Sequence, residues 1–223
     1  IFAGEIDYHF QRASSTIPEY KQFFNNVSSE IKTKHPDVKI GNSLSLENVI
    51  NKSMYPGGSF ELTPQLEMGD FIAFSYKPTN TLGDISRTSN TTTEKDLIWP
   101  AINDFDKAIE MFPNTPVAFF EISWSTSDFV NGNKKDQAQF MELILNFFTE
   151  NESEIEFFTI SKLFDKPSGT CVPQGIEEIT GSGFASNSYR LERADQYLCN
   201  SGLIEINGNA KPAWSKFKEN IPQ

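Results

Sequence analysis

The chain has 223 residues, is 38% hydrophobic with 20 phenylalanines, and carries 30 acidic against 19 basic side chains for a formal charge of −11. That length and apolar content suffice for a sizeable core in one domain spanning residues 1–223, while the acidic balance works against a nucleic-acid or anionic-membrane partner. No apolar run reaches the roughly 18 residues of a membrane span, and no basic-then-apolar leader precedes Ile1, so a secretory signal, had there been one, lies outside the sequence.

Short apolar runs alternate with stretches of helical period, the mark of β/α units around a parallel sheet. The first run, Ile1 to Tyr8, reads as a strand, followed by a helix that starts near Thr16-Ile17-Pro18 and carries Tyr20, Phe23, Phe24, Val27 and Ile31. "DVKIGNSLSL" is a second strand, leading into a weaker helical stretch through Val49 and Ile50 that stops at Pro56-Gly57-Gly58. "DFIAFSYKP" is a third, and a long Ser/Thr/Asn-rich loop from Thr79 to Thr93 separates it from a helix with Ile98, Ile102, Phe105, Ile109 and Phe112. "TPVAFFEISWS" is a fourth strand, "KKDQAQFMELILNFF" its helix, and "EIEFFTISKLFD" a fifth strand. A Gly/Ser-rich loop with Cys171, a helix around Leu191 to Cys199 and a closing segment with Trp214 and Phe217 complete the chain.

Cys171 and Cys199, 28 residues apart, fit no paired-CxxC metal pattern and have no histidine nearby; they are either a disulfide or two buried thiols. Sequons at Asn26, Asn51, Asn90 and Asn151 carry meaning only in a chain secreted by a eukaryote. Neither G-x-G-x-x-G nor G-x-x-x-x-G-K-[ST] follows a strand, and neither HExxH nor G-x-S-x-G occurs, so no cofactor or metal is expected.

In parallel α/β folds ligands meet the carboxyl ends of the strands. Those ends hold Glu5 and Asp7, Ser43 and Ser45, Ser75 and Tyr76, Glu121 and Trp124, and Asp165. Glu5 and Glu121 close apolar runs, "IFAGE" and "VAFFE", where a buried carboxylate is costly unless paired, hydrogen-bonded or protonated. Two such residues on different strands can divide the work of glycoside cleavage, one ionised as nucleophile and one holding a proton for the leaving group.

"EISWSTSDFVNGNKKDQAQFM" resembles the nucleophile-strand segment of the retaining (β/α)8 glycoside hydrolases of clan A, which carry the acid/base on strand four and the nucleophile on strand seven. "FAGEID" resembles their "GNEID" segment, "DFIAFSYKP" their strand-six "D-x-x-x-x-S/T-Y-Y-P", and "GLIEINGNAKPAW" their closing "GL-x-x-x-x-G-x-x-K-x-AW". The likeness runs in order from Ile1 to about Phe217 and is nearest to endo-β-1,4-galactanases and exported glycosidase-like proteins. It implies a TIM (β/α)8 barrel of which this chain supplies roughly strands 4–8, with strands 1–3 in an N-terminal half of the same barrel or replaced by a covering partner. It also implies a secreted protein, a carbohydrate partner, Glu5 as acid/base and Glu121 as nucleophile. Tyr76 would then support the nucleophile, Trp124 and Trp99 would stack on sugar rings, His9 would line the cleft, and Asp165 would bind hydroxyls or cap a loop, whereas Asp7 is expected to cap.

Several positions depart from that pattern: Gly4 replaces the Asn before the acid/base, Ser123-Trp124-Ser125 replaces Gly-aromatic-Pro, Lys77 replaces the second Tyr, and the fifth run lacks Trp. All the losses fall on substrate binding. Two functions therefore follow, a retaining hydrolase of a β-linked polysaccharide, or a catalytically weak or inactive homologue that binds glycans or serves as an extracellular structural protein.

Overall fold

The structure is a computed structural model that describes residues 5–10, 13–50, 63–77, 104–172 and 188–220. It divides into two compact units, one of Ile1–Tyr76, Asn103–Ile122 and Asn151–Thr159, the other of Lys77–Ile102, Ser123–Glu150 and Ile160–Gln223.

The first unit is built on strands β1 (Gly41–Ser45), β2 (Phe71–Tyr76), β3 (Val117–Ile122) and β4 (Ile155–Ile160), which lie side by side in chain order. β1 pairs parallel with β2, and β2 with β3. Among the described strands the order does not turn back as it does at the switch point of a doubly wound sheet. Four described strands do not make a closed eight-stranded barrel.

Alternation gives the sheet two unlike faces. On one, Phe74 packs on Phe112 at 5.7 Å, and Tyr76 and Phe119 pack on Phe105 at 4.9 and 4.8 Å; Phe105 lies in the helix over 104–111, and Phe112 follows it. The other face is narrow. Phe71, Ala73 and Ala118 form a cluster joined by Phe120 and Phe157, and by register Gly41, Ser43 and Ser45 stand beside Phe71, Ala73 and Ser75. Gly41 makes room for the Phe71 ring, since a Cβ there would lie 2.7 Å from its carbons and 2.3 Å from the Phe71 carbonyl oxygen.

The strand expected over Ile1 to Tyr8 does not run its length. Ile1–Gly4 lie outside the described residues, Glu5 and Ile6 form a turn, and Asp7–Phe10 is a helical turn, α1. The Ile6 amide donates to the Ser43 carbonyl at 3.1 Å, after which the His9 and Phe10 amides fold back onto the Ile6 carbonyl. The helix α2 (Ile17–Lys34) buries Ile17 and Phe24 as its period demands, but Phe23 is 56% exposed, on the outer side. The long loop Thr79 to Thr93 and Trp99 fall outside the described residues, as do the sequons at Asn51 and Asn90.

In the second unit the helices over Lys134–Glu150 and Pro212–Asn220 pack on each other, tied by Lys216 to Glu142 at 3.1 Å. Trp214 stacks on Phe217 at 5.7 Å. The fifth run leaves strand conformation at Ile160, short of Asp165. Cys171 is joined to Cys199, which ends the helix Ser188–Cys199. Beside the bridge, Asp195 accepts the backbone amides of Gly169, Cys171 and Val172. Burial works to raise the Asp195 carboxyl, but these amides and the Ser168 hydroxyl outweigh it and hold the group below its ordinary value. Among the described residues no helix is long and apolar enough to cross a membrane.

A bridge closing 28 residues restricts the unfolded chain. Replacing both cysteines by serine is expected to lower stability by about 3–4 kcal/mol on loop-closure entropy, read as a fall in urea midpoint that dithiothreitol reproduces in the wild type and not in the variant.

Candidate active site

Because β1, β2 and β3 are parallel and in order, their carboxyl ends share one edge of the first unit. Pairing of β2 with β3 is in step at Phe74 and Phe119 and resumes at Tyr76 and Ile122. Ser75 is thus opposed by two residues, Phe120 and Glu121, a β-bulge of the kind that re-aims side chains at sheet edges and active sites. Glu121 sits in the bulge with φ of +58°, and its amide donates to Thr159 Oγ1 at 3.1 Å.

Glu5 reaches the same residue from the other side. The hydroxyl of Ser75, itself 2% exposed, donates to Glu5 Oε1 at 2.5 Å. Glu5 also has a left-handed backbone, with φ of +48°. Among the described residues, the non-glycine residues in this region are Glu5, Glu121 and Asn131. Asparagine tolerates it; glutamate seldom adopts it, and such strain is concentrated at functional positions. Both glutamates are half-buried.

The Glu5 turn is anchored by Asp7. Fully buried, Asp7 accepts the Ser45 amide at 2.9 Å and the Asn48 side-chain amide at 2.5 Å. It therefore ties α1 to the end of β1 and to the helical turn Leu46–Ile50 that follows it. Burial raises its carboxyl from the ordinary 3.8 to about 6, with the hydrogen bonds from the Ser45 amide, the Asn48 side chain and its own backbone amide opposing and the nearby Glu5 charge adding to the rise.

The remaining sequence candidates are placed as follows. Tyr76 is fully buried on the helix-facing side, where its hydroxyl donates to Asp104 at 3.2 Å; burial raises the Asp104 carboxyl against the pull of Lys107 and Tyr76. His9 is exposed on α1, edge-on to Phe10 at 4.9 Å. In the second unit Trp124 is 2% exposed and packs on Phe140 at 4.8 Å, which leaves no ring face for a sugar. Asp165 pairs with the buried Lys211 at 2.8 Å and accepts the Gly202 amide at 2.8 Å, so it closes a loop. Trp99 lies outside the described residues.

Sequence reading missed the roles of Ser75, Asn48 and Gln137. Ser75 was discoverable, because period two puts it on the face of Ala73 while Tyr76 takes the other. Gln137, 1% exposed, donates to the Trp124 and Gly202 carbonyls at 2.8 and 3.1 Å, and no local pattern announces that.

No protein family's sequence profile matches the chain, and no curated protein does. In three dimensions it is similar to a GH128 (subgroup IV) endo-β-1,3-glucanase from Lentinula edodes. The superposition has a TM-score of 0.51 at 12% identity and covers 96% of this chain. This chain spans 66% of that glucanase's length. The likeness is one of fold.

Asp7 gives the anchor a signature in pH. A carboxyl whose folded value, about 6, exceeds its ordinary 3.8 binds its proton more tightly in the fold, so the stability that Asp7 contributes is full below about pH 4, is lost as pH rises through 6 and levels off above. The fall is expected to be about 3 kcal/mol. Urea titrations from pH 4 to 7 should show it in the wild type and lose it in Asp7→Asn, whose remaining pH dependence belongs to the other groups.

Proposed function

We propose that the chain is a glycoside hydrolase-like protein that cleaves a β-linked polysaccharide with retention. Glu121 would attack the anomeric carbon while Glu5 protonates the departing glycosidic oxygen; Glu5 would then take a proton from the water that releases the sugar from Glu121. The observation that carries this reading is that Ser75 holds Glu5 by hydrogen bond and lies across the bulge from Glu121. On this reading β1 to β4 correspond to barrel strands five to eight, with Glu5 at the end of strand four. The glucanase likeness recommends β-1,3-glucan as first substrate, and the sequence resemblance recommends β-1,4-galactan. His9 is the side chain of this unit proposed to meet the sugar, and the Cys171–Cys199 bridge suits an exported protein.

A second reading, glycan binding without turnover, is favoured by one observation. Gly4 stands where the resembled enzymes carry the Asn beside the acid/base, which weakens the case for turnover while both glutamates remain.

Reducing-sugar release from both polysaccharides, with proton NMR of the first anomer formed, decides between them. Glu5→Gln and Glu121→Gln are each expected to lower turnover by a factor of about 10²–10⁴ or more at unchanged thermal stability, with β-configured first product from the wild type. An inverted product, or full activity in either variant, would falsify the mechanism; retention of polysaccharide in affinity electrophoresis without products would establish the second reading.

A further inference from the structure

We propose that Ser75 is the positioning residue for Glu5, fixing the carboxyl that hands a proton to the leaving group; the assignment rests on Glu5 being the acid/base. Ser75 stands on strand β2. Its strand pairs with β1 at Ser45, directly opposite, and with β3 on either side at Phe74 and Tyr76, and its side chain is buried. Glu5, by contrast, projects from a turn on three rotatable bonds, whose freedom a fixed partner removes. A proton donor has to lie within hydrogen-bond reach of the glycosidic oxygen, and the Ser75 hydroxyl supplies a contact that fixes the Glu5 carboxyl from the strand.

A hydroxyl suits both halves of the cycle. It donates to the carboxylate, as Ser75 Oγ does to Glu5 Oε1, and when the carboxyl is protonated it can accept instead. The contact therefore survives when Glu5 changes from acid to base.

Acid assistance matters for a poor leaving group and hardly at all for a good one, which separates a positioning role from a structural one. The test compares kcat/KM on phenyl and dinitrophenyl glycosides of a β-1,3-linked glucose disaccharide for the wild type, Glu5→Gln, Ser75→Ala and Ser75→Thr, each checked for native far-UV dichroism. Ser75→Ala is expected to lose about 10–100-fold on the phenyl glycoside and under about threefold on the dinitrophenyl one, with Ser75→Thr restoring the phenyl rate. Equal loss on both substrates in Ser75→Ala, while Glu5→Gln still discriminates, overturns the role of Ser75 and leaves Glu5 in place. No discrimination in Glu5→Gln, or no turnover by the wild type, overturns the reading of Glu5 and the proposal with it.

Discussion

Hydrogen-bonded pairing of β2 against β3 runs in step as far as Phe74 and Phe119 and resumes at Tyr76 and Ile122 with one residue more on β3. That extra residue has two consequences. It breaks the ladder only at the carboxyl end, where a ligand needs access, and leaves the buried pairs Ile72–Val117 and Ala73–Ala118 intact. It also puts Glu121 at the irregular position, in a backbone conformation that a regular strand would not allow. The strand order then gives Glu121 its neighbours: Ser75 of β2, which holds Glu5, on one side, and Thr159 of β4, which accepts the Glu121 amide, on the other.

The same sheet explains which parts of the fold were legible beforehand. β2 and β3 were, because both of their faces are buried and their apolar runs are continuous. The helices over Ile17–Lys34 and Lys134–Glu150 were legible from their period, although period alone did not show that Phe23 falls on the outer side. The first run misled because "IFAGEIDYHF" is apolar enough for a strand, and the helical turn at Asp7 depends on partners far along the chain, Ser43, Ser45 and Asn48. Strand period likewise separates Ser75 from Tyr76. Read strictly, it assigns the serine to the narrow face and the tyrosine to the helices.

Within the second unit, polar side chains that look like ligand contacts in the sequence are taken up by the fold. Lys211 is 2% exposed, and burial draws its pKa down while Asp165 pulls it up. Its ammonium also donates to Thr126 Oγ1 and the Asn200 carbonyl at 2.9 and 3.2 Å. An ammonium removed from water has to be surrounded in this way, since losing one partner of a buried pair costs about 3–5 kcal/mol. Asp165 is therefore fully engaged by its structural neighbours, and its place at the end of an apolar run reflects that engagement. Gln137 does similar work with neutral groups, tying the Trp124 carbonyl to the Gly202 carbonyl. Sequence shows a polar residue in an apolar setting but not which buried group it satisfies.

Glu5 and Glu121 are different because their backbones oppose them. Left-handed φ suits glycine at no steric cost and asparagine at little, as at Asn131, where it ends the short helical turn over Asp128–Val130. For glutamate the same conformation costs on the order of 1–3 kcal/mol. Glycine at either position would relieve that strain, and each site is half-exposed, so packing does not demand the long side chain. What glycine would lack is the carboxyl. Two strained acids stand here, one bonded to a buried serine and the other across a bulge from it, and on the proposed reading it is the chemistry of their carboxyls that offsets the cost to stability.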